Sequence, residues 1–341
     1  MPVVAGVDAA STFCCLLAGA EYRDTDTCAV HLLDACAQGC APDHPIAGGD
    51  QGLRAEQKIA MGDTPCYGDV FHIEQQCQNL ANVLARVAKG AVSRRKALGS
   101  KMAEARTTGC GNTFSREMTL ARQAEQRAVL LIRDAKTLVN WMSHDVLAPA
   151  GPDLAQRRAM FDFVTDELRK REHLDLARIR PLRRALENQL DYLLAFAGVL
   201  DAKLADISHE SKVPLNLART ACLLQGKSPV PSAYWHRWYQ LHRKLAEKFR
   251  GVVSAVALIV KQIPRASSLA ENLLSVLRTY FSLRRQLGTP YLGLLQFFLN
   301  LRIFVCSCRP ELVGKSPKQL MARQCRTQWL ELLGFTRYRR A

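Results

Sequence analysis

The chain has 341 residues, 48% of them hydrophobic, enough for one large core or two smaller ones. Its net charge of +16 is unevenly placed: residues 1–226 hold as many acids as bases, so residues 227–341, whose only acids are Glu247, Glu271, Glu311 and Glu331, carry the whole excess. The apolar run 251–263 is too short and too close to charge to span a bilayer, and the twelve cysteines recur at no zinc-site spacing, so a membrane span and a zinc module are both excluded.

The first 84 residues are acidic, with Arg23, Arg54 and Lys58 their only cations. An acidic beginning and a strongly basic end suit a polyanion, so nucleic acid is the expected partner. With no secretory leader, the cysteines read as thiols of a reducing cytoplasm, and the expected location is cytoplasmic, with the nucleoid.

In chain order, Val3–Val7 is an apolar run ending in Asp8, and Thr12–Leu17 is a second; with Ala9-Ala10-Ser11 between them they read as two short strands. Asp24–Asp34 reads as a helix, capped by Asp24 or Thr25, with Ala29, Leu32, Leu33 and Cys36 on its apolar face. Ile46-Ala47 leads into a glycine-rich turn, Gly48-Gly49-Asp50-Gln51-Gly52. A short extended piece is expected within 65–73, followed by a helix over 74–89. These elements together predict an α/β pattern in the first 90 residues.

From Ala91 to about Ser211 the pattern is almost wholly helical and amphipathic, which predicts helices buried against one another as a bundle. Residues 226–232, GKSPVPS, form an internal linker. Beyond it come an aromatic helix carrying Tyr234, Trp235, Trp238 and Tyr239, the apolar 251–263 segment, a helix over 268–288 and a further helical run over 291–304. The expected division is therefore 1–90, 91–263 and 264–341.

Phosphodiester chemistry commonly uses divalent ions held by carboxylates on rigid strand ends and on a helix packed across them. Asp8 stands at a strand end, and its competing role is to cap the following turn. Asp50 is either a ligand or an Asx-turn residue. Asp69 and His72 lie three apart and form either a supporting pair for such a site or a hydrogen-bonded structural pair.

In the late helix, Leu269, Leu273, Val276, Leu277 and Tyr280 predict an inward face, while Glu271, Ser275, Arg278, Ser282 and Arg285 share another. Glu271 is either a metal ligand or an acid favoured by the helix dipole. Arg278, Arg284 and Arg285 are candidate phosphate contacts, as are Arg237 and Lys244. The aromatic cluster 234–239 either stacks on flipped or frayed bases or anchors its helix, with a basic face towards solvent. Gly314-Lys315-Ser316 lacks the glycines of a phosphate loop; Pro317 there starts a helix behind a Ser316 cap.

Several segments carry a family resemblance. GVDAASTFCCLL, EYRDTDTCAVHLLDACAQGCAPD, GLRAEQ, PCYGDVFHIEQQ and LANVLARVAKG, followed by SLAENLLSVLRTYFSLRRQLGTPYLGLLQFFLN, RPELVGKSP and WLELLGFTRY, resemble bacterial insertion-sequence transposases with an RNase H-like DDE catalytic domain. The resemblance implies an α/β fold: an RNase H-like core with a long all-helical insertion and a basic helical C-terminal part. It further implies DNA cleavage and strand transfer at element ends with Mg²⁺ or Mn²⁺. Asp8, Asp50 and Glu271 would be the catalytic metal ligands, with Asp50 two residues beyond Gly48, where the family pattern has its acid. Double-stranded DNA at element ends and target DNA would be the partners of a homo-oligomer. Two alternatives stand beside it: a truncated, inactive remnant that only binds DNA, and a helical nucleic-acid or protein interaction module.

Overall fold

The computed structural model describes residues 3–20, 25–43, 45–47, 57, 59–62, 64, 66–107, 114–263, 268–282, 288–307, 310–322 and 332–334, with side chains at all of these except 25–28, 47, 268–271 and 282. In chain order the elements are β1 (Val3–Val7), β2 (Cys14–Gly19), α1 (Thr25–Ala37), β3 (Ile46–Ala47), β4 (Tyr67–Gly68), α2 (Val70–Thr107), α3 (Ser115–Trp141) and α4 (Leu154–Arg171). There follow α5 (Leu176–Glu187), α6 (Leu190–Glu210), α7 (Leu215–Gln225), α8 (Ser232–Leu245), α9 (Phe249–Gln262), α10 (Ser268–Ser282), α11 (Thr289–Leu301) and α12 (Pro317–Ala322). They form two compact units, Met1–Cys66 with Ala266–Ala341, and Tyr67–Arg265.

In the first unit β1 and β2 form an antiparallel hairpin running from Val3 opposite Gly19 to Val7 opposite Cys14, with a bulge between Gly6 and Val7. The Asp8 N–H donates to the Phe13 carbonyl (2.8 Å) and the Thr12 N–H to the Asp8 carbonyl (2.9 Å), which closes the turn. Thr12 takes a left-handed φ of 59° to complete it. Leucines and aromatics of α10 and α11 cover the hairpin: Leu277, Leu292 and Leu295 are buried with Cys14 and Leu17, and Tyr280 and Phe298 close the edge. The inward face expected of the late helix is present in α10, where Leu273 and Leu277 join this core and Ser275 and Arg278 are exposed.

Asn300 fixes the registry of α11 on β2. Its Oδ1 accepts from the Cys14 N–H (2.7 Å) and its Nδ2 donates to the Cys14 carbonyl (2.9 Å), as a neighbouring strand would. Gln296 Nε2 donates to the same carbonyl (3.0 Å). Both side chains thereby satisfy backbone groups of the strand that contact with α11 removes from water.

The second unit is built from α2–α9. Asp69 caps α2, its Oδ1 accepting from the N–H groups of Phe71 (3.0 Å) and His72 (3.4 Å). Helix α2 is 38 residues long, and its buried positions, from Val70 and Ile73 through Leu80 and Leu84 to Ala91, stop well before its end. Beyond Ala91 it continues as one limb of a two-helix arm against α3. Leu98, Met102 and Ala105 on α2 and Phe114, Met118 and Ala121 just before and within α3 recur at alternating spacings of three and four, the period of a coiled-coil seam.

At the base of the unit a wide turn follows α3, the Leu147 N–H donating to the Met142 carbonyl (2.8 Å). The loop after it wraps around Arg157, whose buried guanidinium donates to the carbonyls of Val146 (2.5 Å), Ala148 (2.6 Å), Pro149 (3.1 Å) and Pro152 (2.7 Å). Gly226, at the end of α7, lies so close that a Cβ there would stand 2.6 Å from the Ala150 carbonyl oxygen. Helix α9 then packs on α6, α7 and α8, burying Phe249, Val252 and Val256. No helix among the described residues is long and apolar enough to cross a membrane.

This architecture corrects the expected fold class. An RNase H-like core needs a broad mixed sheet whose parallel strands are covered by helices on both faces. The chain is instead overwhelmingly helical, and its extended structure among the described residues is the antiparallel β1–β2 hairpin with two strands of two residues each. Val3–Val7 does form a strand, and the second apolar run does too, displaced to Cys14–Gly19. Helices α10 and α11 cover the hairpin where further strands would be needed. The resemblance to DDE transposases falls with the sheet, and with it the DDE, RNase H-like and transposition descriptions.

Candidate nucleic-acid interface

Helix α8 begins at Ser232, behind Pro231, and its sequence SAYWHRWYQLHRKL alternates aromatic and basic residues. Helical periodicity separates these residues into distinct stripes. Leu241 and Leu245 are buried. Trp238 stands edge-on to Phe249 of α9 (5.2 Å between ring centroids), and His242 contacts the same ring (4.7 Å). Tyr234 stacks on Trp238 (5.7 Å, 18° between planes). These residues form the inner side of the helix.

Trp235 and Tyr239 form the outer side, with relative exposures of 55% and 61%. Arg243 follows one helical turn later on the same stripe, and Arg237 and Lys244, seven residues apart, lie on the opposite flank, all three exposed. Ala246, held at φ 46°, breaks the helix and turns the chain into a single 3₁₀ turn and then α9. That conformation is disfavoured for a residue with a Cβ. The basic last turn of α8 also suits the negative end of the helix dipole.

The charge environment distinguishes this helix from α4 and α5. Across α4 and α5 most cations are matched by carboxylates: Arg158 meets Asp191, Arg169 meets Asp166 and Glu187, and Arg171 meets Asp134 and Glu167. Arg183 meets both Glu172 and Glu187, and its hydrogen bond holds the Glu172 carboxyl below the usual carboxylate range. Among the described residues, none of Arg237, Arg243, Lys244, Arg250 and Lys261 has a carboxylate partner. The flanking Lys248 donates to the Lys212 carbonyl (3.1 Å) and to no acid.

A second basic surface was not legible from regional charge sums. On the two-helix arm, Arg94, Lys96, Lys101, Arg106, Arg116, Arg122 and Arg127 are all exposed. Among the described residues, Arg95, at the seam, is the arm cation with a carboxylate partner, Glu125 (2.6 Å). The acids of the first 84 residues cancel these cations in a sum over 1–226 although the arm contains none of those acids. Charge counted along each predicted helix would have revealed them.

Of the residues expected to form a metal site, Asp8 and Asp69 have described side chains, and each has a structural role. Asp8 caps the hairpin turn: its Oδ2 accepts from the Ser11 N–H (2.7 Å) and hydroxyl (2.5 Å), its competing role. Asp50, Arg284 and Arg285 lie outside the described residues, and Glu271 is in α10 with its side chain outside them. Asp69 is buried at the α2 cap, with His72 Nε2 3.9 Å from its Oδ2, so the structural reading of that pair has a direct basis. Among the described residues no group of three His, Cys, Asp or Glu side chains could hold a metal ion.

Lacking the sheet that would hold its acids rigidly, metal-dependent DNA cleavage and strand transfer at insertion-sequence ends is overturned as the function. The reading of Gly314–Pro317 stands: Ser316 and Gln319 form a reciprocal cap, the Ser316 N–H donating to Gln319 Oε1 (2.8 Å) and the Gln319 N–H to Ser316 Oγ (3.3 Å). No protein-family model matches the chain, and neither a curated protein nor a solved structure does.

Proposed function

We propose that this protein is a helical nucleic-acid-binding module that holds the phosphate backbone on the outer face of α8 and α9. The observation that carries the reading is the set of exposed cations on α8 and α9 without carboxylate partners among the described residues, whereas Arg158, Arg169, Arg171 and Arg183 of α4 and α5 are paired with acids. Exposed, unmatched cations on a rigid helix attract a polyanion, and counterion release from that polyanion then drives binding. Arg237, Arg243 and Lys244 are the direct phosphate contacts, and the arm offers a second basic surface.

The reading predicts binding that weakens steeply with salt. Titrating a labelled oligonucleotide by fluorescence anisotropy between about 50 and 200 mM salt should lower affinity by roughly tenfold or more. Replacing both Arg237 and Lys244 by glutamine should weaken binding and reduce the magnitude of the log–log salt slope by about 0.9 per lost duplex phosphate contact. A salt-independent affinity, or variants that bind as the parent does, would sink the proposal.

A further inference from the structure

We infer that Trp235 and Tyr239 are a stacking site for unpaired bases, so that the α8 face prefers single-stranded to double-stranded nucleic acid. The inference rests on the phosphate-binding reading above and specifies what that face takes. Sequence alone offers four neighbouring aromatics with two explanations, base stacking or anchoring, and the structure divides the residues between them. Tyr234 and Trp238 are anchors: they stack on each other, Trp238 meets Phe249, and Tyr234 also stands edge-on to Trp235 (5.2 Å between centroids). Trp235 and Tyr239 point outwards, more than half exposed. Anchoring α8 to α9 therefore accounts for the first pair, and the contact of Trp235 with Tyr234 still leaves more than half of Trp235, like Tyr239, in solvent.

Two large rings in solvent leave apolar surface that a folded helix does not cover, and their surroundings specify what can. A protein partner with an apolar knob would meet Arg243 one turn away on the same stripe and would need an acid to match it. A nucleic-acid strand supplies both features in one repeat, a flat aromatic base and an anionic phosphate.

The spacing selects the strand's state. Residues four apart on a helix are separated by about 6 Å along its axis, whereas bases in a duplex strand stack at about 3.4 Å. Consecutive stacked bases cannot each meet one of these rings. An extended strand with its bases parted can, and every base has a face to offer, so stacking tolerates any sequence. Paired bases inside a duplex have both faces covered already. Arg243 is placed to take the phosphate beyond Tyr239, continuing the stripe by another turn.

The test compares a labelled 12-nucleotide single strand of mixed sequence with the duplex of the same sequence, by anisotropy at fixed low salt. The parent protein should bind the single strand more tightly. Trp235→Ala and Tyr239→Ala should each weaken single-strand binding by roughly tenfold and change duplex binding less than about twofold. Trp235→Phe, which keeps a ring, should retain most of the affinity. Both side chains are exposed, and an unchanged circular dichroism spectrum confirms that the variants fold. Equal affinity for the two forms, or losses that are equal or absent on both, overturns the stacking site while the salt-dependent phosphate reading stands. Failure to bind either form in a salt-dependent way overturns both.

Discussion

A few polar side chains here do structural work out of proportion to their number, and Arg157 is the clearest. Its charge is fully buried, its fork of donors meets four backbone carbonyls, and its guanidinium lies 5.2 Å from the centroid of Phe196. A planar guanidinium spreads five donors over three nitrogens, whereas a lysine ammonium offers three from a single point. Arg157→Met leaves those carbonyls with unsatisfied acceptor capacity and should cost more than about 3 kcal/mol in urea unfolding. Arg157→Lys should recover only part of this. A loss below about 1 kcal/mol would mean that other groups hold the loop. Sequence gives no sign of this role, because a lone arginine in an amphipathic helix is ordinarily a solvent-facing residue.

At the scale of elements, the arm formed by α2 and α3 carries one ion pair within its seam. Its seam mixes large side chains such as Leu98, Met102, Phe114 and Met118 with alanines, and Arg95 and Glu125 occupy seam positions as a half-buried pair. A polar pair in a seam fixes which residues face each other across it. The hydrogen bond from Arg95, with its charge, holds the Glu125 carboxyl below its ordinary value. The pair's contribution is therefore fully present above the unfolded glutamate value of about 4.3 and is lost as pH falls through the lower folded value.

Amide hydrogen exchange over 92–107 and 115–128 should be faster in Glu125→Gln than in the parent at neutral pH. The difference should close on acidification, once the parent's Glu125 is itself protonated. A difference that persists unchanged at low pH would show that shape, not charge, sets the effect. The helices themselves were readable from periodicity. The outward set of Trp235 and Tyr239 required knowing that the Trp238 stripe is the one that meets Phe249.

For the whole molecule, each unit contains a buried thiol that reports on its own core. Burial pushes the Cys14 thiol up to about 12 in the first unit, and raises Cys222 from its ordinary value in the second. Burial, reinforced by the neighbouring Cys40 thiol, likewise pushes Cys15 up to about 12. The thiolate is the reactive form, so at pH 8 these sites are almost wholly unreactive while the fold is closed. Among the cysteines with described side chains, Cys306 is exposed and should be alkylated by iodoacetamide first. In rising urea, Cys14 should become reactive before Cys222, because a short hairpin and a few covering helices bury less apolar surface than the α2–α9 bundle. Mass spectrometry of the labelled peptides reads the order, and Cys222 opening first would contradict it.

The sequence by itself determined where most helices run, the β1 strand, the Ser316 cap and the concentration of positive charge after residue 226. These are local properties, written in periodicity, capping residues and composition. Only the tertiary structure decided the fold class, because short apolar runs read alike whether they enter a broad sheet or lie under two helices, and the answer depends on partners far away in the chain. It likewise decided that Asp8 closes a turn, that Asp69 caps a helix, and which two of four neighbouring aromatics remain for a ligand. Each depends on which groups a distant or newly formed element brings within hydrogen-bonding or contact distance, and sequence spacing alone does not contain that information.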